Sequence, residues 1–154
     1  MYLQKQRWWK LSKFKEKWRF QFPEYASYEV DDREIYEDFK TKLSSFFYKY
    51  DYTKIFLAAM AIGYIKNERQ PLKKRSRTIP TNHFTLEERW MIISVALDQE
   101  KDISILKNEA KILTMAEEYA NTGIKYLRSI QEEGILTNPI ESFENELRKK
   151  LERI

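Results

Sequence analysis

Cysteine is absent from the sequence, which removes disulfides, thiolate metal sites, iron–sulfur clusters and cysteine nucleophiles at once. Histidine occurs once, as His83, so His-rich metal sites and paired-histidine acid–base schemes are excluded with it. Glycine is scarce, at three residues, and no Walker loop, dinucleotide-binding fingerprint or nucleophile elbow occurs. No apolar run approaches the ~20 residues needed to cross a bilayer. The N-terminal stretch KQRWWKLSKFK has no apolar core followed by a cleavage site, so a cytoplasmic protein without membrane attachment is expected.

What is present points to helices. Charged residues make up 34% of the chain and hydrophobic residues 42%, enough for one folded domain of 154 residues joined by short charged loops. The net charge of +4 matters through its placement more than its size. The organising element is Tyr52–Tyr64, YTKIFLAAMAIGY, with Lys54 its one charge. A helix apolar nearly all round is buried, and Ala59 and Gly63, one turn apart, give it a slim face where another backbone can come close. Gly63 costs about 1 kcal/mol against alanine there, so packing space outweighs helix propensity.

Around that helix the periodicity predicts an all-α fold of about five helices, with room for a short strand near the N-terminus. Residues 1–30 read as a basic, aromatic extension, 31–134 as the helical core and 135–154 as a C-terminal amphipathic helix. In the extension, Lys5, Arg7, Lys10, Lys13, Lys15, Lys17 and Arg19 interleave with Trp8, Trp9, Phe14, Trp18, Phe20 and Phe22. It reads as helix to about Lys13, with helix and strand patterns both open beyond it. Pro23 ends it, and FPEYASYEV reads as a connector to a helix capped by Asp31 or Asp32. Over residues 32–49, Ile35, Phe39, Leu43 and Phe46 or Phe47 form an apolar stripe, and Asp51 is the expected N-cap of the central helix.

Farther on, Thr85-Leu86-Glu87-Glu88 is a capping box, with Leu86, Trp90, Ile93 and Leu97 expected to face the core. Asp102 caps a short turn, and a long helix is expected from about Asn108 to Glu133, ending at Gly134. Its inward stripe is Ile112, Met115, Ala116, Tyr119, Ala120, Gly123, Leu127 and Ile130, with AxxxAxxG giving a second slim face. Asn138-Pro139 opens a last helix with Ile140, Phe143, Leu147 and Leu151 inward.

Catalysis finds no support. The acidic pairs Asp31/Asp32, Glu87/Glu88, Glu117/Glu118 and Glu132/Glu133 sit at helix starts or on faces expected to be solvated, and His83 has no nucleophile or carboxylate beside it in sequence. No metal site and no cofactor are expected. Two basic clusters remain. Residues 5–22 mix cations with aromatics as a protein does when it neutralises phosphates and stacks on bases. The segment after Tyr64 carries Lys66, Arg69, Lys73, Lys74, Arg75 and Arg77 against Glu68, and Pro71 and Pro80 forbid a continuous helix, so an exposed basic loop is expected. It suits DNA phosphates, the favoured reading, or an acidic protein surface, and a basic loop alone does not choose between them.

Two segments taken together carry a resemblance: IFLAAMAIGYIKNERQPL and, about fifty residues later, EEYANTGIKYL. They resemble the small family called Dnd-system-associated protein, the one numbered four, found beside DNA phosphorothioation genes in prokaryotes. The matching residues are Phe56, Ala59, Gly63 and Tyr64, then Arg69, Pro71 and Leu72 in the turn, then Glu117, Glu118, Tyr119, Ala120, Asn121 and Gly123. The resemblance covers roughly residues 35–130 and implies an accessory component of a DNA modification or antiphage defence system, with no enzymatic activity to carry over. The expectation is therefore a non-enzymatic protein that touches DNA through its basic segments, with an adaptor between larger defence proteins as the alternative and a small nuclease or hydrolase using His83 a remote one. A polar contact is expected at Glu118 and Asn121, internal or across an interface, the internal reading being favoured because buried amides usually bond neighbouring groups. Trp8, Trp9, Trp18, Phe20 and Phe22 exceed what one short element can bury on its own core, so residues 8–22 are expected at an interface of a homo-oligomer or hetero-complex, a fold-back over Tyr48–Tyr52 being the monomeric alternative.

Overall fold

The computed structural model describes residues 21–133 and 147–152. Four α-helices are named in chain order: α1 Arg33–Thr41, α2 Tyr52–Lys66, α3 Leu86–Glu100 and α4 Glu109–Glu132. A helical stretch at residues 147–151 brings the α-helices among the described residues to five. One two-stranded antiparallel pair, β1 Tyr25–Ala26 with β2 Ile79–Pro80, supplies the short strand near the N-terminus.

The helix boundaries follow from local chemistry. Asp51 starts α2 by accepting a hydrogen bond from the Tyr52 N–H at 2.8 Å. The helix stops at Asn67, whose left-handed φ of 55° lets the N–H groups of Asn67 and Glu68 return to the carbonyls of Tyr64 and Gly63. Thr85 and Glu88 form the capping box of α3 in full, each side chain accepting from the other residue's N–H. Asn108 caps α4 through the Lys111 N–H at 3.0 Å.

The core is built on α2 against α4, and the contact is backbone to backbone. A Cβ placed on Gly63 would lie 2.0 Å from the Tyr119 carbonyl oxygen, and one on Gly123 would lie 1.7 Å from the Ala59 carbonyl oxygen. Both expected slim faces therefore meet each other, which is why two helix-weakening glycines are kept mid-helix. Around this crossing Ile55, Phe56, Ile112 and Ile124 are fully enclosed. Tyr28 stacks on Tyr36 with ring centroids 4.4 Å apart, and Tyr52 meets both edge-on. Phe39 and Phe47 pack edge to face below them.

Several expectations are corrected. The helix expected over residues 32–49 ends at Thr41, where Lys42 goes extended at ψ 127°, and a turn in which the Ser45 hydroxyl accepts the Phe47 N–H follows; Leu43 is 82% exposed. Neither Asp31 nor Asp32 caps α1 with its side chain, as a 3-10 turn, Val30–Asp32, leads into the helix instead. Helix α3 turns Ile92, Ile93, Val95 and Ala96 inward and leaves Leu86 67% and Trp90 51% exposed. Leu147 and Leu151 point outward rather than inward. Gly134, Ile140, Phe143 and everything read in residues 1–20 lie outside the described residues. Phe22 is partly buried against the core. No helix among the described residues is long and apolar enough to cross a membrane.

Candidate nucleic-acid interface

The basic segment after α2 is a fixed ribbon. It runs antiparallel along residues 25–30, pairing Ala26 with Ile79 and Tyr25 with Pro80, and makes an isolated bridge between Glu29 and Arg75. Main-chain hydrogen bonds join Val30 N–H to Lys74, Ser76 N–H to Tyr28 and Thr78 N–H to Ala26. The prolines that forbid helix are compatible with this extended path.

Side chains then pin the ribbon nearly residue by residue. The Thr122 hydroxyl donates to the Glu68 carbonyl at 2.5 Å, and the Asn121 amide donates to the carbonyl of Gln70 at 3.0 Å. The Glu29 carboxylate accepts the N–H groups of Lys73 at 2.7 Å and Lys74 at 2.9 Å. The Ser27 hydroxyl accepts the Arg77 N–H at 3.0 Å, where the backbone takes a left-handed φ of 48°.

At the centre is Glu117, on α4 and 0% exposed. One carboxylate oxygen accepts the Ser27 N–H at 2.8 Å, and the other closes on the Arg75 guanidinium. Burial pushes the Glu117 carboxyl above its ordinary range, against the pull of Arg75. A single residue of α4 thus locks both strands of the ribbon. Next to it, Glu118 lies 3.5 Å from Arg69, which also sits over the Tyr119 ring.

These contacts give the EEYAN segment a physical division of labour. Glu117, Glu118 and Asn121 hold the ribbon, while Tyr119, Ala120 and Gly123 face the core, the last against α2. The expectation that the Glu117/Glu118 pair lies on a solvated face is overturned for Glu117. The Glu87/Glu88 pair is split likewise: Glu88 is buried, holds the Thr85 N–H and pairs with Lys54. Sequence reasoning also passed over Glu29, and placed Asp32 at a helix start rather than in the core. Asp32 is buried with its Oδ2 unpartnered, and burial raises its carboxyl above the usual range although Lys125 pulls the other way.

The pinning sorts the cations. Arg75 is spent on Glu117 and Arg69 on Glu118, and Lys66 lies over the Tyr126 ring. Lys73, Lys74 and Arg77 are exposed, on main chain whose N–H groups are all bound. Lys10, Lys13, Lys15, Lys17 and Arg19, with Trp8, Trp9, Trp18 and Phe20, lie outside the described residues. His83 does have a carboxylate near: its Nδ1 is 3.4 Å from Asp51 Oδ2, both side chains being about half-exposed. Among the described residues no group of three or more histidines and carboxylates could hold a metal ion.

No curated protein and no solved structure matches the chain. A family model described as DNA sulphur modification system-associated protein 4 matches residues 29–146, which takes in the ribbon, the α2–α4 crossing and the EEYAN segment. By that match the chain belongs to the DNA sulphur modification system-associated protein 4 family.

Proposed function

We propose that the chain, as an associated protein of a DNA sulphur modification system, is a non-enzymatic accessory that contacts DNA phosphates through Lys73, Lys74 and Arg77. One observation carries the reading: three exposed cations are displayed on a ribbon whose main chain is tied to α4 and to residues 26–30. Prearranged cations lose less conformational freedom on binding than cations on a free loop. Arg75 and Arg69 leave the contact set, since each already faces a glutamate.

The test is duplex binding followed by fluorescence anisotropy across a salt series. Each phosphate contact contributes about 0.9 to the slope of log K against log salt, so replacing Lys73, Lys74 and Arg77 together by alanine lowers the slope by about 2 to 3. Undetectable binding by the unaltered chain, or binding insensitive to salt, overturns the reading. A second reading, an adaptor between larger proteins of the system, draws on the exposed Leu43, Leu86 and Ile103. Capture of neighbouring gene products that survives the triple substitution favours it.

A further inference from the structure

Where the ribbon ends, the chain opens into a cleft of about 780 Å³, whose lining includes Phe22, Glu24, Tyr25, Asn82, His83 and Arg89. Its volume falls in the range of roughly 300–1,000 Å³ usual for small-molecule pockets. We propose that this cleft receives an unpaired nucleobase of the DNA strand whose phosphates lie on the ribbon, an inference that rests on the DNA-contact reading.

The walls are built rather than incidental. Thr81 donates its hydroxyl to the Pro23 carbonyl at 2.6 Å and its N–H to the Glu24 carbonyl at 2.9 Å, so the two sides of the cleft are stitched together. Arg89 is held by the carbonyls of Phe84 at 3.3 Å and Thr81 at 3.4 Å, which leaves further guanidinium N–H groups for a ligand. The His83 Nδ1 lies 3.4 Å from Asp51 Oδ2.

The chemistry of the lining selects a base over a phosphate. Arg89 shares the lining with the acidic Glu24, so the cleft offers no concentrated positive field. It offers donors from Arg89 and Asn82, acceptors from Glu24 and Asn82, and an aromatic ring at Tyr25, which is 42% exposed. A nucleobase edge presents both donors and acceptors, and its flat face stacks on aromatics. Position agrees: Thr81 lies four positions after Arg77, a reach of at most about 14 Å, which a strand rising 3.4 Å per base covers in about four nucleotides. The base would be one already unpaired at a gap, bulge or end, because unstacking costs least there.

The experiment compares the full chain on a blunt duplex and on the same duplex carrying a one-nucleotide gap, alongside NMR titration of the Asn82 side-chain amide with the dinucleotide dTpdT. The expected result is about tenfold tighter binding to the gapped duplex, a stacking-sized gain, together with a shift of the Asn82 amide. Y25A combined with N82A abolishes that preference and keeps the blunt-duplex affinity, whereas the triple substitution at Lys73, Lys74 and Arg77 weakens both. Equal affinity for both duplexes with an unmoved Asn82 amide overturns the cleft proposal and leaves the ribbon reading standing. Absent duplex binding with a dinucleotide-dependent Asn82 shift overturns the ribbon reading and keeps the cleft. Loss of both signals ends both.

Discussion

Arg75 closes on Glu117, a carboxylate with no exposed surface, while its own side chain remains 41% exposed. The pair is the joint between the charged ribbon and the helical core. Removing one partner of such a pair strands the other charge. Arg75→Ala is expected to cost about 2 kcal/mol in urea unfolding, below the ~3–5 typical of fully buried pairs because water reaches the arginine. Lys73→Ala is expected to move stability by no more than about 0.5 kcal/mol. A result in which the two variants unfold alike would remove Glu117 from its anchoring role.

Gly123→Ala is expected to be among the most damaging single substitutions in the chain. The added Cβ meets the Ala59 carbonyl at 1.7 Å and the Gly63 nitrogen at 2.9 Å, both main-chain atoms that no rotamer change can move. Overpacking commonly costs about 1–3 kcal/mol, and this site belongs at or above the upper end. Helix propensity alone would predict a gain of about 1 kcal/mol, so the sign of the change in thermal midpoint discriminates.

The buried acids set a pH dependence. Burial raises the carboxyls of Asp32 and Glu117 in the folded chain, so between the ordinary carboxylate range and those raised values the native state holds more protons than the unfolded one. Their contribution is fully present below the unfolded value and is lost as pH rises through the folded value. Asp32→Asn keeps the shape without the charge and is expected to stabilise the protein at pH 7, by about 1 kcal/mol, and to flatten the fall in stability above the ordinary carboxylate range. Stability at pH 7 that falls on this substitution would show that Asp32 is charged and satisfied in the fold.

Glu29 offers a local test. Its carboxylate holds the N–H groups of Lys73 and Lys74. Glu29→Ala is expected to speed hydrogen exchange at those two amides while leaving the α2 and α4 amides protected, since a few lost hydrogen bonds open a segment without opening the core. Uniform acceleration along the chain would mean that the ribbon and the core unfold as one.

Much of the frame was legible because it is written in local chemistry. The caps at Asp51, Thr85 and Asp102, and the facing slim stripes around Gly63 and Gly123, need only neighbours within a turn or one apolar period. Helix α3 misled because LEERWMIISVALDQE carries apolar residues around most of its circumference, so periodicity could not choose the side that Ile92, Val95 and Ala96 take. The end of α1 was hidden because the apolar stripe continues through Leu43 and Phe47 while the backbone leaves the helix at Lys42. Glu117 was read as solvated because its partners are distant: Arg75 is 42 positions away and Ser27 is 90. A buried charge shows in sequence only through a partner, and no pattern window spans that distance. The cleft was missed for the same reason, as Tyr25 and Arg89 meet only through the pairing of β1 with β2.

That separation has a consequence for synthesis. The ribbon and its lysines leave the ribosome well before α4, yet the carboxylate that locks Ser27 and Arg75 lies 90 positions after Ser27. Glu117 follows Arg75 by 42 positions, so at about 5–20 residues per second the nascent chain spends roughly 2–8 s with its basic segment made but not yet anchored. Display of the cations in their final arrangement therefore waits on translation through Glu117, and a chain truncated before that residue would carry the same charges in no fixed order.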